Sequence, residues 1–395
     1  MIRTLQAFNL KGKNILIRTD FNVPMKGEVV TNNFRIKASL PTIKTCIEAG
    51  ASVVLMSHLG RPKGRKDSSL SLIPVGEELA GLLEMPIKFS EDSVSTDAID
   101  TSISLKPGEI HLLENLRFYK GEENNDTEFS SQLARHGHVY INDAFGTAHR
   151  SHASNVGVVP FFKNAGIGWL MDKELNYLVR LMNNPKRPLT IVLGGAKIGT
   201  KLKLIDNFLN NADHIIIGGG MAFTFLKAKG RSVGDSLVDE TMLDTARSFI
   251  NKARVKGVKL SLPIDVICGK SPEEPIEKGT YLTKDMPEDL MGLDIGPESI
   301  NMFNSILGNS KTILWNGPMG VFEIKDFELG TREMAIHLVS CISNGSKVIV
   351  GGGDTAAALE SFGLIKDMSH VSTGGGASLE LLSGNQLPAL RVLEK

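Results

Sequence analysis

The chain has 395 residues, enough for two or three domains, and its 42% hydrophobic content with 40 glycines is typical of a globular α/β protein. Its 44 basic and 44 acidic side chains balance, which excludes a global field for nucleic acid or an acidic membrane surface. Cys46, Cys268 and Cys341 are scattered and odd in number, which argues against a disulfide framework or a zinc site. Neither a signal-peptide core nor an apolar stretch of roughly 20 residues is found, so we expect a soluble cytoplasmic protein.

Short strands alternate with helices through the first half of the chain. Apolar runs predict strands at 15–17, 53–56, 110–113 and 139–141, and helical spacing predicts helices at 36–49 and 72–83. Such alternation indicates βαβ units and a parallel sheet, whose strands present their carboxyl ends along one edge.

Cationic side chains follow four of these strands and should gather at that edge. Arginine pairs with carboxylate and phosphate through two parallel hydrogen bonds, so a cluster of arginines suits an anion. Each residue taken singly could instead be a solvated loop charge or an ion pair, and Arg18 could pair with Asp20 or Asp143. The set as a whole favours an anion site, and its members are Arg18, Arg35, His58, Arg61, Arg117 and Arg150.

In the second half, four strand-like stretches end in pairs or triplets of glycine. They run into 194–195, 218–220, 351–353 and 374–376. Glycine lets a ligand lie against bare backbone, and the helix start that follows favours phosphate. A single motif could be an ordinary tight turn, but four favour a nucleotide site that is neither a P-loop nor a dinucleotide fingerprint. Asp354 beside phosphate indicates Mg²⁺ between them.

Two further stretches of the second half carry chemistry. The turn at 315–323 combines glycine, proline, an apolar wall and one acid, which suits a nucleoside, while Trp315 itself is expected in the core. Lys197 and Lys201 are four residues apart at a helix start and would neutralise phosphate, or else lie on the surface. The segment 171–183 has helical spacing and ends at a proline-rich stretch, so it is the best candidate for a connection between two lobes.

Eight segments closely resemble the motifs of the phosphoglycerate kinase family, in the order and spacing of that family and over nearly the whole chain. They are RTDFNVP at 18–24, SHLGRP at 57–62, LLENLRF at 112–118, NDAFGTAHR at 142–150, LGGAK at 193–197, WNGPMGVFE at 315–323, GGGDT at 351–355 and STGGGASLELL at 372–382. Together they are far more specific than one glycine triplet.

The resemblance implies an α/β fold of two Rossmann-like lobes, each with a mostly parallel sheet flanked by helices, joined by an interdomain helix and hinge. It places a 3-phosphoglycerate-binding domain at 1–170, with the segment from about 380 to 395 returning to it. The interdomain helix would be 171–184 and the nucleotide-binding domain 185–379. The family also implies a monomer without nucleic-acid or membrane partners.

The resemblance also implies roles for individual residues. The 3-phosphoglycerate site would comprise Asp20, Phe21, Asn22, Arg35, His58, Leu59, Gly60, Arg61, Arg117 and Arg150. ADP or ATP would be surrounded by Gly195, Lys201, Gly219, Gly292, Glu323, Gly351, Gly352, Gly353, Asp354 and Thr355, with Asp354 on Mg²⁺. The transferred phosphoryl group would meet Arg35, Lys197, Gly374 and Gly375. Thr200 departs from the family, which often has an acid there, and alters the charge around Lys201.

The implied reaction is reversible phosphoryl transfer from 1,3-bisphosphoglycerate to ADP, giving 3-phosphoglycerate and ATP by direct in-line transfer after hinge closure. Two other functions were weighed. An NAD-dependent dehydrogenase should show G-x-G-x-x-G after a strand, and none is present. A non-catalytic nucleotide-binding protein would bind ADP without turnover, and the intact motifs in both halves speak against it.

Overall fold

The computed structural model describes residues 2–196, 198–199, 201–273 and 278–394. The chain divides into two compact units, one formed by Met1–Asn176 with Gln386–Lys395 and the other by Tyr177–Asn385. The division therefore falls inside one helix, and the last ten residues return to the first unit.

The first unit alternates strands and helices. Its strands are β1 Asn14–Arg18, β2 Met25–Lys26, β3 Val29–Val30, β4 Ser52–Met56, β5 Ile87–Ser90, β6 Ile110–Leu113, β7 Val139–Asn142 and β8 Ala165–Ile167. Its helices are α1 Phe34–Glu48, α2 Ile73–Leu83, α3 Thr96–Ile103, α4 Lys120–Glu123 and α5 Thr127–Ala134, and α6 Trp169–Asn183 crosses into the second unit.

Within the described part of this unit, six strands form one sheet in the order β5-β6-β4-β1-β7-β8, and every neighbouring pair is parallel. The central strands β1 and β4 are buried along their whole length. Their apolar side chains pack with Ile36 and Ile43 of α1 and with Val75 and Leu79 of α2. Burial on both faces is what continuous Val, Ile and Leu runs predict for a parallel sheet.

The second unit repeats this plan. Its strands are β9 Leu189–Leu193, β10 His214–Ile217, β11 Lys259–Ser261, β12 Asp265–Gly269, β13 Gly279–Leu282, β14 Met291–Ile295, β15 Thr312–Asn316, β16 Lys347–Gly351 and β17 His370–Val371. Its helices are α7 Leu202–Phe208, α8 Met221–Ala228, α9 Leu243–Val255, α10 Pro297–Gly308, α11 Leu329–Ser343, α12 Gly353–Ser361 and α13 Gly376–Leu382. A short α14, Pro388–Arg391, belongs to the first unit.

Among the described residues of the second unit, six strands again form an all-parallel sheet, in the order β11-β10-β9-β15-β16-β17. Beside it, β13-β12-β14 form a separate antiparallel sheet. The predicted class, two units with mostly parallel sheets flanked by helices, is confirmed. Trp315 is fully buried in β15, as expected, and the three cysteines are buried and unpaired. None of the described helices is both long and apolar enough to cross a membrane.

Helix α6 begins two residues earlier than its apolar spacing predicts, because polar side chains of the first unit hold its first turn. The hydroxyl of Thr42 accepts the amide of Trp169 at 2.8 Å, and Asp143 Oδ1 accepts that of Met171 at 3.1 Å. Asp143 is fully buried, and burial raises the pKa of its carboxyl to about 7.

A buried polar chain connects α3, β6 and the end of α5. Ser102 Oγ lies 2.8 Å from His111 Nδ1 and 2.7 Å from His136 Nδ1, and His136 Nε2 lies 3.0 Å from the carbonyl of Ser93. Since a carbonyl only accepts, His136 carries its proton on Nε2, Ser102 donates to His136, and His111 donates from Nδ1 to Ser102. Burial lowers the pKa of both histidines to about 4, so both rings are neutral at neutral pH.

We predict that Ser102→Ala lowers the free energy of unfolding by about 1–3 kcal/mol, because it leaves two buried ring nitrogens without a partner. The matched control is Ser104→Ala, because Ser104 is an exposed serine at the C-terminal end of α3, and the free energy of unfolding should change little. Urea unfolding at pH 7.5 measures both. Equal stability of the two variants would contradict the chain of hydrogen bonds.

The same histidines predict an acid dependence. The unfolded chain takes up their protons near pH 6.5 and the folded chain only near pH 4, so stability should fall as the pH drops through that interval. Urea unfolding of the wild-type chain across pH 4–7 tests this. A free energy of unfolding that does not decrease over the interval would contradict neutral, buried rings.

Candidate active site

In the first unit the predicted anion-binding residues follow the carboxyl ends of four neighbouring strands. The loop after β1 carries Asp20 and Asn22, and the loop after β4 carries His58. A short helical turn after β6 contains Arg117, and a short helical turn after β7 precedes Arg150. Because all four strands run parallel, their ends share one edge of the sheet. The predicted gathering of these loops is what this topology produces.

Arg35, at the start of α1, is tied to the loop after β1. Its Nη1 donates to Asp20 Oδ2 at 2.8 Å and to the carbonyl of Asn22 at 3.4 Å. Asn22 in turn accepts the amide of Gly60 through Oδ1 at 2.9 Å, which links the loops after β1 and β4. The Arg35 side chain remains 31% exposed, so the guanidinium is oriented by Asp20 and still reachable by a ligand.

Arg117 is almost buried beneath this edge. Its Nη1 donates to the carbonyl of Gly60 at 2.7 Å. Its Nε lies 3.6 Å from Glu123 and makes no hydrogen bond within the described part of the chain. Burial, followed by the charges of Arg18 and Arg150, lowers the pKa of Arg117 to about 10. The side chain is still cationic at neutral pH, and an anion bound nearby would lower the electrostatic free energy of this buried charge.

Arg18 forms an internal ion pair, the alternative to a role in the anion site, but the two partners predicted for it, Asp20 and Asp143, are wrong. Arg18 is fully buried, and it faces Glu122 at 3.9 Å, not Asp20 or Asp143. Its Nη2 lies 3.2 Å from His58 Nδ1. The sequence does not distinguish an exposed charge at the end of a strand from a buried one. The reason is that Glu122, the partner of Arg18, lies 104 residues further along the chain.

The other predicted residues of this unit divide by exposure. Phe21 and Leu59 are core side chains whose backbone is held by Ser57 Oγ and Asn115 Nδ2, at 2.9 and 2.7 Å. Gly60 adopts a positive φ of 61°, and a Cβ there would lie 2.6 Å from Leu70. Arg61 is exposed and Arg150 half-exposed, so both are available to a ligand.

In the second unit the glycine loops contact one another through their backbones. The amide of Gly195 donates to the carbonyl of Pro318 at 2.8 Å, and that of Gly219 to the carbonyl of Met319 at 3.1 Å. A Cβ on Gly219, whose φ is +60°, would lie 2.5 Å from Gly195 N. The turns after β9, β10 and β15 therefore pack at distances that only glycine allows.

These loops form one wall of a pocket of about 340 Å³. Gly292 of β14 and Glu323 lie in its lining, and so does Asp354 in the first turn of α12. The floor is apolar, with Phe223, Leu293, Met319 and Val321. The pocket thus combines a flat apolar slot with bare backbone and one carboxylate, as a nucleoside phosphate requires.

Asp294 holds the wall of this pocket and was not predicted. Its buried carboxylate accepts the amide of Gly330 at 2.6 Å and that of Ile295 at 2.8 Å. A Cβ on Gly320 would lie 2.2 Å from Asp294 Oδ1. Burial raises the pKa of Asp294 to about 7. Asp294 therefore joins β14 to the first turn of α11 and packs closely against Gly320 in the loop before that helix.

Lys201 lies at the junction of the loops after β9 and β15. Its Nζ donates to the carbonyls of Gly194 at 2.5 Å and Asn316 at 3.1 Å. Burial lowers its pKa to about 8, and the carboxylate of Asp354 opposes that shift. The ammonium is therefore charged at neutral pH and within electrostatic reach of Asp354.

The segment GGGDT continues this arrangement. Gly351 ends β16, Gly352 has a φ of +93°, and α12 begins at Gly353. Thr355 is buried and its hydroxyl accepts the amide of Gly317 at 2.7 Å, which joins α12 to the turn after β15. The predicted glycines therefore lie at a helix start whose first turn carries the exposed Asp354.

Asn316 is a candidate ligand-binding residue that the sequence argument missed. Its Nδ2 is buried and has no hydrogen-bond partner among the described residues, and a Cβ on Gly352 would lie 3.0 Å from it. An unsatisfied buried donor beside the start of α12 is suited to a phosphate or ribose oxygen. The available signal was its position at the carboxyl end of a buried strand, close to the signal that identified the arginines.

Of the four residues predicted at the phosphoryl site, the structure describes Arg35, Gly374 and Gly375 but not Lys197. Gly375 has a φ of +49° and precedes α13, while the amide of Gly374 already donates to Ser372 Oγ at 3.1 Å. Lys197 lies outside the described residues, and so does Thr200.

Comparison with known proteins decides the family. The model of the phosphoglycerate kinase family matches residues 5–385. The phosphoglycerate kinase of Thermosipho africanus is 47% identical over 388 residues, which covers 98% of this chain and 96% of that protein. That of Synechococcus elongatus is 46% identical over 394 residues, covering 100% and 98%.

This chain belongs to the phosphoglycerate kinase family. Solved structures agree. The phosphoglycerate kinase of Coxiella burnetii superposes with a TM-score of 0.89 at 40% identity, covering 100% of this chain and 99% of that one. That of Pyrococcus horikoshii gives 0.83 at 31% identity, covering 100% and 98%. The family resemblance and the assignment of the chain as an enzyme of that family are confirmed, and a dehydrogenase is excluded.

The close packing of the glycine loops generates a prediction. Gly219→Ala should lower the free energy of unfolding by about 1–3 kcal/mol more than a control and weaken ADP binding, since its methyl group would overlap Gly195 and Pro318. Gly230→Ala is the matched control, because Gly230 also has a positive φ but no atom of the described residues lies within 4 Å of its Cβ position. Urea unfolding and calorimetric ADP titration measure both. Equal effects of the two variants would show that the close approach is unimportant.

Proposed function

We propose that this family member catalyses reversible phosphoryl transfer from 1,3-bisphosphoglycerate to ADP, with 3-phosphoglycerate on the first unit and the nucleotide on the second. The observation that carries the proposal is that one unit has a cationic sheet edge and the other has a glycine-lined pocket. The two ligands of this reaction differ in the same way. One is a small molecule that is almost entirely charged, and the other has a large apolar base.

The first unit suits 3-phosphoglycerate because several cations follow the strand ends along one sheet edge. Arg35 is partly satisfied by Asp20. The Nε of the buried Arg117 faces Glu123 at 3.6 Å but has no hydrogen-bond partner among the described residues, and Arg61 and Arg150 are accessible to solvent. Bidentate guanidinium groups match the geometry of both carboxylate and phosphate. Asn22 and the Gly60 turn would set the position of the ligand between them.

The second unit suits ADP or ATP because it combines an apolar slot with the charged Lys201, the Nδ2 group of Asn316 and the start of α12. Gly219, Gly292 and Glu323 would line the base and ribose region. Gly195, Lys201 and Asn316 lie toward α12. The first-turn amides of that helix would donate hydrogen bonds to a phosphate. The predicted segment Gly351 to Thr355 supplies that helix start.

Magnesium fits the donor set that the structure provides. No group of three or more His, Cys, Asp or Glu side chains is arranged for a metal among the described residues, so a protein-only cage is not proposed. Mg²⁺ typically uses one or two carboxylates together with substrate phosphates and water. Asp354, exposed beside the charged Lys201, would be that carboxylate, and the ion would supply charge neutralisation of the nucleotide phosphates.

The residues of this chain act mainly by position and charge. The attacking oxygen, a carboxylate or a terminal phosphate, carries no proton to remove, so a general base is not required. Arg35, Lys197 and the backbone around Gly374 and Gly375 would stabilise charge on the transferred group. Since the ligands are proposed on different units, transfer requires the two ligands to meet, and hinge closure stays a prediction.

We also propose the remaining properties that family membership implies, a cytoplasmic location and a monomeric state without nucleic-acid or membrane partners. The three unpaired, buried cysteines fit a reducing compartment. The balanced formal charge of zero fits the absence of a polyanionic partner. Light scattering during gel filtration tests the monomer, and a dimeric mass would contradict it.

We predict that Asp354→Asn raises the Mg²⁺ concentration needed for half-maximal rate by roughly 10-fold or more, because it removes the proposed carboxylate ligand. Calorimetry of ADP binding with and without Mg²⁺ gives a second readout, in which the variant should lose the benefit of the metal. The control is Asp244→Asn, a carboxylate in the first turn of α9 that is 95% exposed. Unchanged Mg²⁺ dependence in Asp354→Asn would remove this residue from the metal site.

We predict that Arg61→Ala raises KM for 3-phosphoglycerate by about 10-fold or more and leaves KM for ATP within about twofold, since a hydrogen bond to a charged group contributes about 1.5–3 kcal/mol. A coupled assay of ATP-dependent 3-phosphoglycerate phosphorylation measures both constants. Arg65→Ala, four residues on and equally exposed, is the control. A comparable rise in both constants would contradict the assignment of ligands to units, and no activity in the wild-type chain would contradict the function.

A further inference from the structure

The side chain of His58 has a single hydrogen-bond partner among the described residues, the guanidinium of Arg18. His58 Nδ1 lies 3.2 Å from Arg18 Nη2, and both side chains are buried, with exposures of 2% and 0%. This contact joins a residue proposed to bind 3-phosphoglycerate to one that does not reach the ligand.

Arg18 is held in one orientation because each of its nitrogens has a partner. Nε donates to Ser154 Oγ at 2.7 Å, Nη1 donates to the carbonyl of Thr19, and Nη2 faces His58. Glu122 balances the charge at 3.9 Å and is itself fixed by the amide and hydroxyl of Ser154, at 2.9 and 2.6 Å. The guanidinium therefore cannot turn toward the substrate edge without breaking several buried contacts.

A guanidinium carries only donors and does not lose its proton in proteins. The 3.2 Å contact is therefore an N–H group of Arg18 donating to His58 Nδ1. A neutral imidazole with Nδ1 as acceptor has its proton on Nε2. We infer that Arg18 is a positioning residue, which holds His58 as the neutral Nε2–H tautomer so that His58 offers the bound anion a hydrogen-bond donor without a positive charge.

The surroundings of His58 support the neutral form. Protonation would place an Nδ1–H group against an Arg18 N–H group at the same 3.2 Å. Burial lowers the pKa of His58 well below its usual value, and so do the charges that face it from β1, the turn after β6, α1 and the segment before Ala153, namely Arg18, Arg117, Arg35 and His152. Each of these groups disfavours protonation of His58.

This inference rests on the proposed function, since it concerns the site assigned to 3-phosphoglycerate. Its consequence is a division of labour. The arginines neutralise the charge of the ligand, while a neutral Nε2–H group positions one of its oxygens. Affinity for the ligand then does not depend on the titration of His58 near pH 6.5, the range in which an unperturbed histidine would change charge.

The tautomer can be read directly from the wild-type chain without turnover. Long-range ¹H–¹⁵N correlation spectra of ¹⁵N-histidine-labelled protein distinguish the two neutral forms and the imidazolium, and the His58 signal is identified by its loss in His58→Gln. We expect the Nε2–H form from pH 6 to pH 8, with and without 3-phosphoglycerate. An Nδ1–H form, or an imidazolium appearing in that range, would overturn the inference even in a fully active enzyme.

The role of Arg18 is tested with Arg18→Lys, which keeps the charge opposite Glu122 but loses the planar fork. His58 should then populate both neutral tautomers in the same spectrum, because a single ammonium opposite Glu122 no longer fixes a donor at His58 Nδ1. The ratio of variant to wild-type KM for 3-phosphoglycerate should rise by about twofold or more at each pH from 6 to 8, because part of the His58 population then presents an acceptor to the ligand. Taking the ratio cancels the titration of the substrate phosphate.

The control is Arg135→Lys, an exposed arginine of the same unit, for which the ratio should stay near one at every pH. A pure Nε2–H form of His58 in folded Arg18→Lys would show that Arg18 is only structural. If Arg18→Lys does not fold, the wild-type spectrum still decides the tautomer. Absence of wild-type turnover would instead count against the proposed function and leave the spectrum interpretable.

Discussion

The parallel arrangement of both sheets is the constraint on which the candidate sites depend. In each unit the carboxyl ends of the strands share one edge, so loops far apart in sequence meet there. In the first unit this edge brings together the residues that follow β1, β4, β6 and β7. In the second it brings together the turns after β9, β10, β15 and β16. An antiparallel sheet would send alternate loops to opposite ends and scatter both sets.

The two units use that edge by different physical means. The first relies on side-chain charge, and it keeps its cations in place with carboxylates that are themselves buried or hydrogen-bonded, such as Asp20 and Glu122. The second relies on the absence of side chains, because Gly195, Gly219 and Gly317 let three loops touch through their backbones. The first solution favours a compact anion, and the second leaves room for a flat base beside a row of amides.

The buried charges also explain why not every cation at the edge can act alike. Arg18 and Arg35 both belong to the first unit and differ greatly in exposure, 0% against 31%. Arg18 is used to orient a neighbour, whereas Arg35 is oriented by a neighbour and remains reachable. Asp143 and Asp294 show a related pattern, since each holds the first turn of a helix from inside the core.

Much of this was predictable from local patterns. Short apolar runs, glycines and strand-to-loop residues predicted the parallel sheets, the buried Trp315 and the loops that meet at each edge. What could not be predicted depends on partners distant in sequence. The pairing of Arg18 with Glu122, the unsatisfied amide of Asn316 and the chain from His111 through Ser102 to His136 leave no periodic signal. The antiparallel sheet β13-β12-β14 was missed because its strands contain Gly and Asp among their apolar residues and are not joined by a two-residue turn.

The central claim, that the two ligands belong to different units, is tested most directly by hydrogen–deuterium exchange with each ligand alone. We expect 3-phosphoglycerate to slow amide exchange at 20–22, 58–61 and 115–118, and Mg²⁺-ADP to slow it at 194–196, 218–220, 316–320 and 351–355. Protection of the same unit by both ligands would contradict the account.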